Sequence, residues 1–195
     1  MHGGKAELIM PADDIKLPGT HNLENYMAAF AATDGYVDDN TCIAVAKSFA
    51  GVEHRLEQVR VLNGVTYIND SIGTSPTRTA AGLHALKTKP ILIAGGYDKH
   101  IPFDELGDEI CLHVKKLYLT GATTEKIYDA VINSKYYDGK LPIEKIYDFK
   151  EAVLAAANAA QYGDIVLLSP ACAAFDKFKN FMERGKYFKQ IVMEL

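Results

Sequence analysis

The stretch INDSIGTSPTRTAAGL, from Ile68 to Leu83, contains the transition that decides the fold. A β-branched strand ends at the polar run Asn69-Asp70-Ser71, small residues follow, and Pro76 opens an alanine-rich helix. A turn between a strand and a helix needs only two or three residues of this kind. Because the first amides of the helix point back at a longer polar run, the stretch predicts a ligand-binding loop.

The alternation of strand and helix continues from Val52 to the end of the chain. Residues 58–70 are expected to form a hairpin, because Asn63-Gly64 supplies the positive φ angles of a tight turn. Helices are predicted over residues 75–87, 103–112, from 124 onward, over 149–160 and over 173–184, with short apolar strands between them. This pattern indicates an α/β domain with a Rossmann-like, doubly wound and mostly parallel sheet.

The residues before Val52 have a different character. Two helices are predicted there, over residues 22–33 and 39–50, and the second begins with good capping residues from Asp38 onward. Two helices of this length bury no core of their own. We therefore interpret residues 1–51 as the tail of a larger domain and residues 52–195 as a separate domain.

Composition argues against several classes of function. The net charge is −4 and the basic residues are scattered, so no nucleic-acid surface is expected. No apolar run approaches the roughly 18 residues of a membrane span, and the N-terminus lacks the features of a signal peptide. Three widely separated cysteines suit reduced thiols in the cytoplasm. None of the six histidines falls in HxH or HExxH spacing, so no metal site made only of protein ligands is expected.

Four predicted strands end in loops that are rich in small or polar residues. Ligands of open α/β sheets bind outside the carboxyl ends of the strands, where helix N-termini favour anions. Loops of α/β proteins also need such residues merely as caps and turns, but four of them at one sheet edge favour a site. The loops are residues 69–74, 95–99, 120–123 and 169–172.

Individual side chains in and near these loops have both a functional and an ordinary interpretation. Lys99 is suited to a carboxylate or phosphate, or is a solvated loop lysine, and Arg55 either binds phosphate or pairs with a glutamate. Asn22 and Asn25 share one helix face that suits the edge of a purine, although Asn22 also suits a helix cap. Four phenylalanines lie mostly at helical spacing near the last predicted helix, which is typical of core packing: Phe175, Phe178, Phe181 and Phe188.

Taken in order, five motifs of this chain resemble the Mur ligase family of peptidoglycan synthesis, and most closely its D-glutamate-adding branch. They are LPGTHNLENYMAA, HRLE, NDSIGTSPTRT, AGGYDK and LLSPACAAFDKFKNFMERGKYF. The resemblance implies three domains in the whole enzyme, which bind UDP, hydrolyse ATP and deliver the amino acid. It further implies that residues 1–51 are the end of a truncated central ATPase domain. Residues 52–195 would then be the C-terminal domain.

The resemblance also implies a reaction and a set of partners. ATP, with Mg²⁺, phosphorylates the carboxylate of UDP-N-acetylmuramoyl-L-alanine, and the amine of D-glutamate attacks the acyl phosphate to form an amide. The residues that would contact ATP are Asn22 and Asn25 at adenine, Arg55 at the phosphates and Asp70 at the ribose. The residues that would bind D-glutamate are Thr74 and Lys99 at its carboxylates and Phe175 and Phe181 around its pocket. No general base is evident.

The chain departs from the family pattern at two places. Ile72-Gly73 stands where the family commonly has Lys-Ala, and Ala174 stands where a serine often binds glutamate. The chain also contains no GxxxxGK[ST] phosphate loop, so the missing N-terminal and central domains would hold that loop and the magnesium ligands. Alone, the chain is expected to be inactive.

Two other functions stay open. The chain could belong to a Mur ligase that adds a different amino acid, such as L-alanine or a diamino acid. It could instead be a stand-alone binding module that retains the fold without catalysis. An oxidoreductase that uses a dinucleotide is disfavoured, because the chain has no GxGxxG fingerprint.

Overall fold

The computed structural model describes residues 8–17 and 19–195, apart from the side chain of His21. The chain divides into two compact units with the boundary between Gly51 and Val52. In the described part of the first unit, a short 3₁₀ helix at Ala12–Asp14 precedes α1 (Thr20–Thr33) and α2 (Asp39–Ser48). Among the described residues, no helix is long and apolar enough to cross a membrane.

The second unit is an α/β domain with a six-stranded sheet. Its strands are β1 (Glu57–Leu62), β2 (Val65–Asn69), β3 (Ile91–Ala94), β4 (Lys116–Leu119), β5 (Ile143–Lys145) and β6 (Ile165–Leu168). Its helices are α3 (Pro76–His84), α4 (Asp104–His113), α5 (Thr124–Ile132), α6 (Phe149–Ala159) and α7 (Phe181–Glu194). Only β1 pairs in the antiparallel sense, so the predicted mostly parallel α/β class is confirmed.

The antiparallel pair β1–β2 is the hairpin predicted from Asn63-Gly64. Asn63 has φ of 52° and Gly64 has φ of 78°, the left-handed values that a two-residue hairpin turn requires. Leu62 pairs directly with Val65 across this turn. The hairpin fixes where β2 begins, and so where its carboxyl end presents Asp70.

The last strand, β6, is inserted between β2 and β3. The sheet order is β1-β2-β6-β3-β4-β5. β2 and β3 are therefore not neighbours, and β6, the last strand in the sequence, lies between them. Asn69 of β2 and Ile93 of β3 both pair with Leu168 of β6. As a result the loops that follow β2, β3 and β6 emerge side by side at the carboxyl ends of the parallel strands. We call this side of the sheet the carboxyl edge.

Helices cover both faces of the sheet, which gives two separate apolar cores. Because side chains alternate along a strand, Leu92 of β3 packs on the face covered by α3, α4 and α5, and Ile93 packs on the other face. That second face is covered by α6 and α7, with Val153 and Phe188 fully buried there. This is the three-layer arrangement of a doubly wound fold.

The prediction of a last helix over residues 173–184 is wrong. Residues 169–180 form an irregular loop, and α7 begins at Phe181. Asn180 is the cap: its Oδ1 accepts a hydrogen bond from the Glu183 amide at 2.9 Å, while Glu183 Oε2 accepts one from the Lys179 amide at 2.8 Å. This reciprocal capping fixes the start of the helix, and the phenylalanine spacing that suggested an earlier start reflects separate contacts of the loop.

Candidate functional site

Arg184 of α7 holds the loops after β2 and β6 together at the carboxyl edge. It is 2% exposed, and its guanidinium donates to the Ser71 hydroxyl at 3.0 Å and to the Ser71 carbonyl at 2.9 Å. It also donates to the carbonyls of Cys172 at 3.0 Å and Ala173 at 3.1 Å. Burial lowers the pKa of Arg184 to about 10, so it stays charged at neutral pH.

The loop after β3 is tied to the loop after β6 by backbone hydrogen bonds. The Gly95 amide donates to the Pro170 carbonyl at 2.8 Å, and the Tyr97 amide donates to the Ala173 carbonyl at 2.9 Å. The Tyr97 and Phe175 rings meet edge-on, with centroids 5.9 Å apart, on the exposed side of these two loops. The loops after β2, β3 and β6 are therefore hydrogen-bonded to one another at the carboxyl edge.

Asp70 is buried beneath this edge with partners at both carboxylate oxygens. Oδ2 accepts a hydrogen bond from the Ser169 hydroxyl at 2.7 Å, and Oδ1 accepts one from the Leu56 amide at 3.2 Å. The Ser169 hydroxyl also lies 2.9 Å from that of Thr79. Gly73 passes close by: a Cβ there would lie 2.6 Å from Asp70 Oδ2. The loop therefore packs on the carboxylate with no room for a larger residue.

Burial raises the pKa of Asp70 from its usual value of 3.8 to about 6, because a charged carboxylate is poorly solvated in the interior. The bond from Ser169 and the nearby charges of Arg55 and Arg78 oppose this rise. Both arginines are exposed. The β2 end thus carries a buried anion with two solvent-facing cations close by.

A second cluster of polar side chains joins the HRLE segment to α7. His54 is 2% exposed, and its Nδ1 accepts a hydrogen bond from Asn69 Nδ2 at 2.9 Å. Asn69 Nδ2 also donates to Glu57 at 3.0 Å, and Glu57 accepts from Lys189 at 2.7 Å. Burial lowers the pKa of His54, so the neutral ring with its proton on Nε2 fits these contacts.

Gly185 of α7 makes this packing possible. A Cβ at Gly185 would lie 2.3 Å from His54 Nδ1, so only glycine lets the helix approach the ring. The ring of Phe181 packs edge-on against His54 at a centroid distance of 6.0 Å, and the Phe181 carbonyl accepts a hydrogen bond from the Ser71 hydroxyl at 2.8 Å. Phe181 therefore lies beside the β2 loop, while Phe175 lies beside the β3 loop.

Lys99 is a charged side chain at this edge with no partner among the described residues. It is exposed, and no hydrogen bond or ion pair reaches its ammonium group within the described part of the chain. Its neighbour Asp98 is by contrast fixed, because it pairs with Lys126 and accepts a hydrogen bond from the His100 amide at 2.7 Å. The β3 loop thus carries the exposed Lys99 ammonium group next to a turn that the contacts of Asp98 hold in place.

The eight residues predicted to contact ligands fall into two groups. Six lie in the second unit, on loops around the ends of β2, β3 and β6 or, for Phe181, at the start of α7: Arg55, Asp70, Thr74, Lys99, Phe175 and Phe181. The other two, Asn22 and Asn25, lie near the start of α1 in the first unit, the former half-buried and the latter exposed. Their roles toward ATP and D-glutamate stay predictions.

Sequence reasoning did not single out Arg184, and it placed Ser169 in a candidate loop without predicting its contact with Asp70. An arginine in an amphipathic helix is ordinarily exposed, so nothing but its place in the last quoted motif distinguished Arg184. Ser169 contacts Asp70 only because β6 is inserted next to β2. Neither relationship has a signal in local sequence.

The sequence profile described as "Mur ligase, glutamate ligase domain" matches residues 54–172 of this chain. The match begins at His54 of the HRLE segment and ends at Cys172, in the first part of the loop after β6. The chain belongs to the Mur ligase family. Four of the predicted site residues lie within the matched range: Arg55, Asp70, Thr74 and Lys99.

The curated relatives of this Mur ligase chain include two bacterial UDP-N-acetylmuramoylalanine–D-glutamate ligases. The one from Acetivibrio thermocellus is 52% identical over 187 residues, which cover 94% of this chain and 40% of the relative. The one from Clostridium beijerinckii is 53% identical over 184 residues with the same coverage. The chain thus spans about 40% of the length of these relatives.

Solved structures with a similar fold are more distant. A bifunctional folylpolyglutamate synthase/dihydrofolate synthase from Yersinia pestis aligns with a TM-score of 0.67 at 13% identity, covering 99% of this chain and 43% of that one. A murein peptide ligase from Psychrobacter arcticus aligns with a TM-score of 0.56 at 19% identity, covering 91% and 36%. At such identities the likeness supports the fold of this Mur ligase chain alone.

Proposed function

We propose that this chain takes part in joining D-glutamate to UDP-N-acetylmuramoyl-L-alanine, with ATP as the source of energy. The observation that carries the choice of amino acid is the 52% identity to a D-glutamate ligase across 94% of the chain. Residues 52–195 would deliver the amino acid, and residues 1–51 would be the end of the domain that hydrolyses ATP. The division of the chain after Gly51 supports this assignment.

The carboxyl edge of the second unit suits a dicarboxylate with a free amine. Lys99 offers an ammonium group with no partner among the described residues, and Thr74 offers a hydroxyl at the end of the β2–α3 loop, just before α3. Phe175 lies within the β6–α7 loop and Phe181 begins α7, and both would shape the pocket between these polar contacts. Holding the acid groups leaves the nitrogen free to attack an acyl phosphate, which is the geometric requirement of the reaction.

The nucleotide contacts would come from the other end of the β2 loop. Arg55 is exposed next to Asp70 and suits a phosphate, while Asn22 and Asn25 would bind adenine. Asp70 would accept a bond from a ribose hydroxyl. Because Asp70 is only 4% exposed, that contact requires a segment packed on its carboxylate to move.

No step is assigned to magnesium within this chain. Among the described residues, the cluster of possible metal ligands nearest the HRLE segment is Glu53, His54 and Glu57. Lys189 already donates to Glu53 at 2.9 Å and to Glu57 at 2.7 Å, so its ammonium group occupies the place of a cation. The donor set therefore does not fit Mg²⁺, and the family's magnesium would be held by residues outside this chain.

A chimaeric enzyme tests the proposal. This chain would replace the matching segment of the Acetivibrio thermocellus ligase, and phosphate release from ATP would be measured with UDP-N-acetylmuramoyl-L-alanine and one amino acid at a time. We expect activity with D-glutamate and none with L-glutamate, L-alanine or a diamino acid. Activity with a different amino acid would contradict the choice of D-glutamate.

The same chimaera also distinguishes the ligase function from that of a stand-alone binding module. If the chimaera folds by circular dichroism and binds ATP yet releases no phosphate with any amino acid, the stand-alone binding module becomes the better interpretation. The isolated chain is the negative control. We expect it to hydrolyse no ATP with any amino acid, and turnover that survives purification would contradict the division of labour proposed for its two units.

A further inference from the structure

Three side chains with metal-binding atoms meet on the surface between α3 and α4. His84 Nε2 lies 2.6 Å from Glu109 Oε2, and His113 Nε2 lies 3.4 Å from the same oxygen. The two imidazole rings pack edge-on with centroids 4.9 Å apart. One candidate ligand atom from each of the three residues lies within 4.8 Å of the others. The cluster is thus assembled around a single carboxylate oxygen.

This cluster lies away from the carboxyl edge. α3 and α4 both return from that edge toward the start of the next strand, so their last residues lie at the opposite, amino edge. His84 is the last residue of α3, and His113 is the last residue of α4. None of the residues proposed to contact ATP or D-glutamate belongs to the cluster.

The ends of the two helices favour a cation at this place. The C-terminal turn of a helix carries partial negative charge on its unpaired carbonyls, and two such turns converge here with one carboxylate. Glu109 and His113 are four residues apart on α4, so they project from the same face of the helix. His84 adds a third donor from a neighbouring helix.

We propose that His84, Glu109 and His113 form a binding site for a divalent transition metal ion of the zinc class. The spacing of the histidines in the sequence predicts no such site, because the two imidazoles come from different helices. Two imidazoles and one carboxylate are donors that zinc accepts, with bonds of about 2.0–2.2 Å. In a tetrahedral site such bonds place ligand atoms about 3.4 Å apart, which the His113–Glu109 distance of 3.4 Å already matches. The His84–Glu109 pair must open from its hydrogen-bonded distance of 2.6 Å.

Metal binding requires one rearrangement of protons. The short contact of His84 Nε2 with Glu109 needs a proton between them, whereas a metal ligand needs a free lone pair. A neutral His84 therefore binds the ion as the tautomer with its proton on Nδ1. Exposed fractions of 54% for His84 and 41% for His113 leave water access to the fourth position. The ion would fasten α3 to α4 at the amino edge.

Titration of the 195-residue chain with zinc, monitored by isothermal titration calorimetry, tests this site. We expect one zinc ion per chain, no competition from Mg²⁺, and a higher thermal unfolding temperature when zinc is present. His84→Ala, Glu109→Gln and His113→Ala should each weaken zinc binding by at least about tenfold, since losing even a residue that only hydrogen-bonds to a metal ligand costs that much. All three residues are at least partly exposed, so these variants should fold without metal.

The matched control is His100→Ala. His100 is also an exposed imidazole with one carboxylate nearby, Asp98 at 3.5 Å, but it has no third ligand among the described residues. We expect its loss to change zinc affinity by less than twofold. The proposal is overturned if the chain shows no saturable zinc binding. It is equally overturned if zinc binds with unchanged affinity to both His84→Ala and His113→Ala.

Discussion

Arg184 and Ser71, which are 113 positions apart in the sequence, are joined by two hydrogen bonds in the interior of the domain. Arg184 Nε donates to the Ser71 hydroxyl at 3.0 Å, and its Nη2 donates to the Ser71 carbonyl at 2.9 Å. Among the described residues, no carboxylate accepts a hydrogen bond from this guanidinium. The charge is held by one hydroxyl and three carbonyls, so Arg184 fastens α7 to the loops that follow β2 and β6.

Replacing Arg184 with methionine should therefore destabilise the domain. The change leaves the carbonyls of Ser71 and Cys172 buried without donors, whereas the Ala173 carbonyl keeps the Tyr97 amide, and each such loss costs about 1–3 kcal/mol. We expect the free energy of unfolding in urea to fall by at least about 2 kcal/mol. Arg78→Met is the matched control, because Arg78 is exposed and makes a single weak contact at 3.4 Å. A loss below about 1 kcal/mol for Arg184→Met would contradict this account.

The stability of the domain should depend on pH through Asp70. Burial raises the pKa of this carboxyl from 3.8 to about 6, so the folded state holds its proton more tightly than the unfolded state. The stabilising contribution is complete below about pH 4 and is lost as the pH rises through about 6. With about 1.4 kcal/mol per pKa unit, the loss amounts to about 3 kcal/mol.

Asp70→Asn isolates this effect from the other titrating groups. Its amide can accept from the Leu56 N–H and donate to Ser169 without carrying charge. We expect the variant to equal the parent chain near pH 4 and to exceed its unfolding free energy by up to about 3 kcal/mol at pH 7.5. The measurement is urea unfolding of both proteins at several pH values. If the difference in unfolding free energy between the two proteins were the same at every pH, the raised pKa of Asp70 would be refuted.

Lys99→Ala should impair amino-acid binding without affecting stability. Lys99 has no partner among the described residues, so its removal should change the unfolding free energy by no more than about 0.5 kcal/mol. In the chimaeric ligase, we expect the KM for D-glutamate to rise about tenfold or more, as for a lost hydrogen bond to a charged group. The KM for ATP should not change.

Lys126→Ala provides the comparison for Lys99. Lys126 is also an exposed lysine beside this edge, but it is already paired with Asp98. Its loss should leave the KM for D-glutamate within about twofold, provided that the Asp98 turn keeps its bond to the His100 amide. An unchanged KM for D-glutamate in Lys99→Ala would remove Lys99 from the proposed site.

Asn180→Ala should shorten or fray α7 at its N-terminus. The Asn180 side chain accepts the Glu183 amide, and losing such a cap costs about 1 kcal/mol. Asn158→Ala is the control, because Asn158 is exposed within α6 and caps nothing. Urea unfolding should separate the two variants by about 1 kcal/mol. Equal stabilities would mean that the helix starts elsewhere.

Much of the fold followed from local patterns. The positive φ angles of Asn63 and Gly64, the proline that opens α3 and the short apolar strands are each encoded within a few residues. They predicted the hairpin, the alternation of strands with helices and the mostly parallel sheet. The start of α7 does not follow from local spacing, because Phe175, Phe178 and Phe181 are spaced as on a helix face, whereas Phe175 contacts Tyr97 and Phe178 contacts Phe149.

The sequence by itself determined which loops would end at the carboxyl edge and which of their side chains suit anions, because those properties depend on residue type and order. Only the tertiary structure decided that Ser169 meets Asp70, that Arg184 is buried, and that His84 joins Glu109 and His113. These relationships arise where β6 enters between β2 and β3 and where α3 packs on α4. The residues involved are tens of positions apart or more, so the packing of distant elements, rather than any local propensity, brings them together.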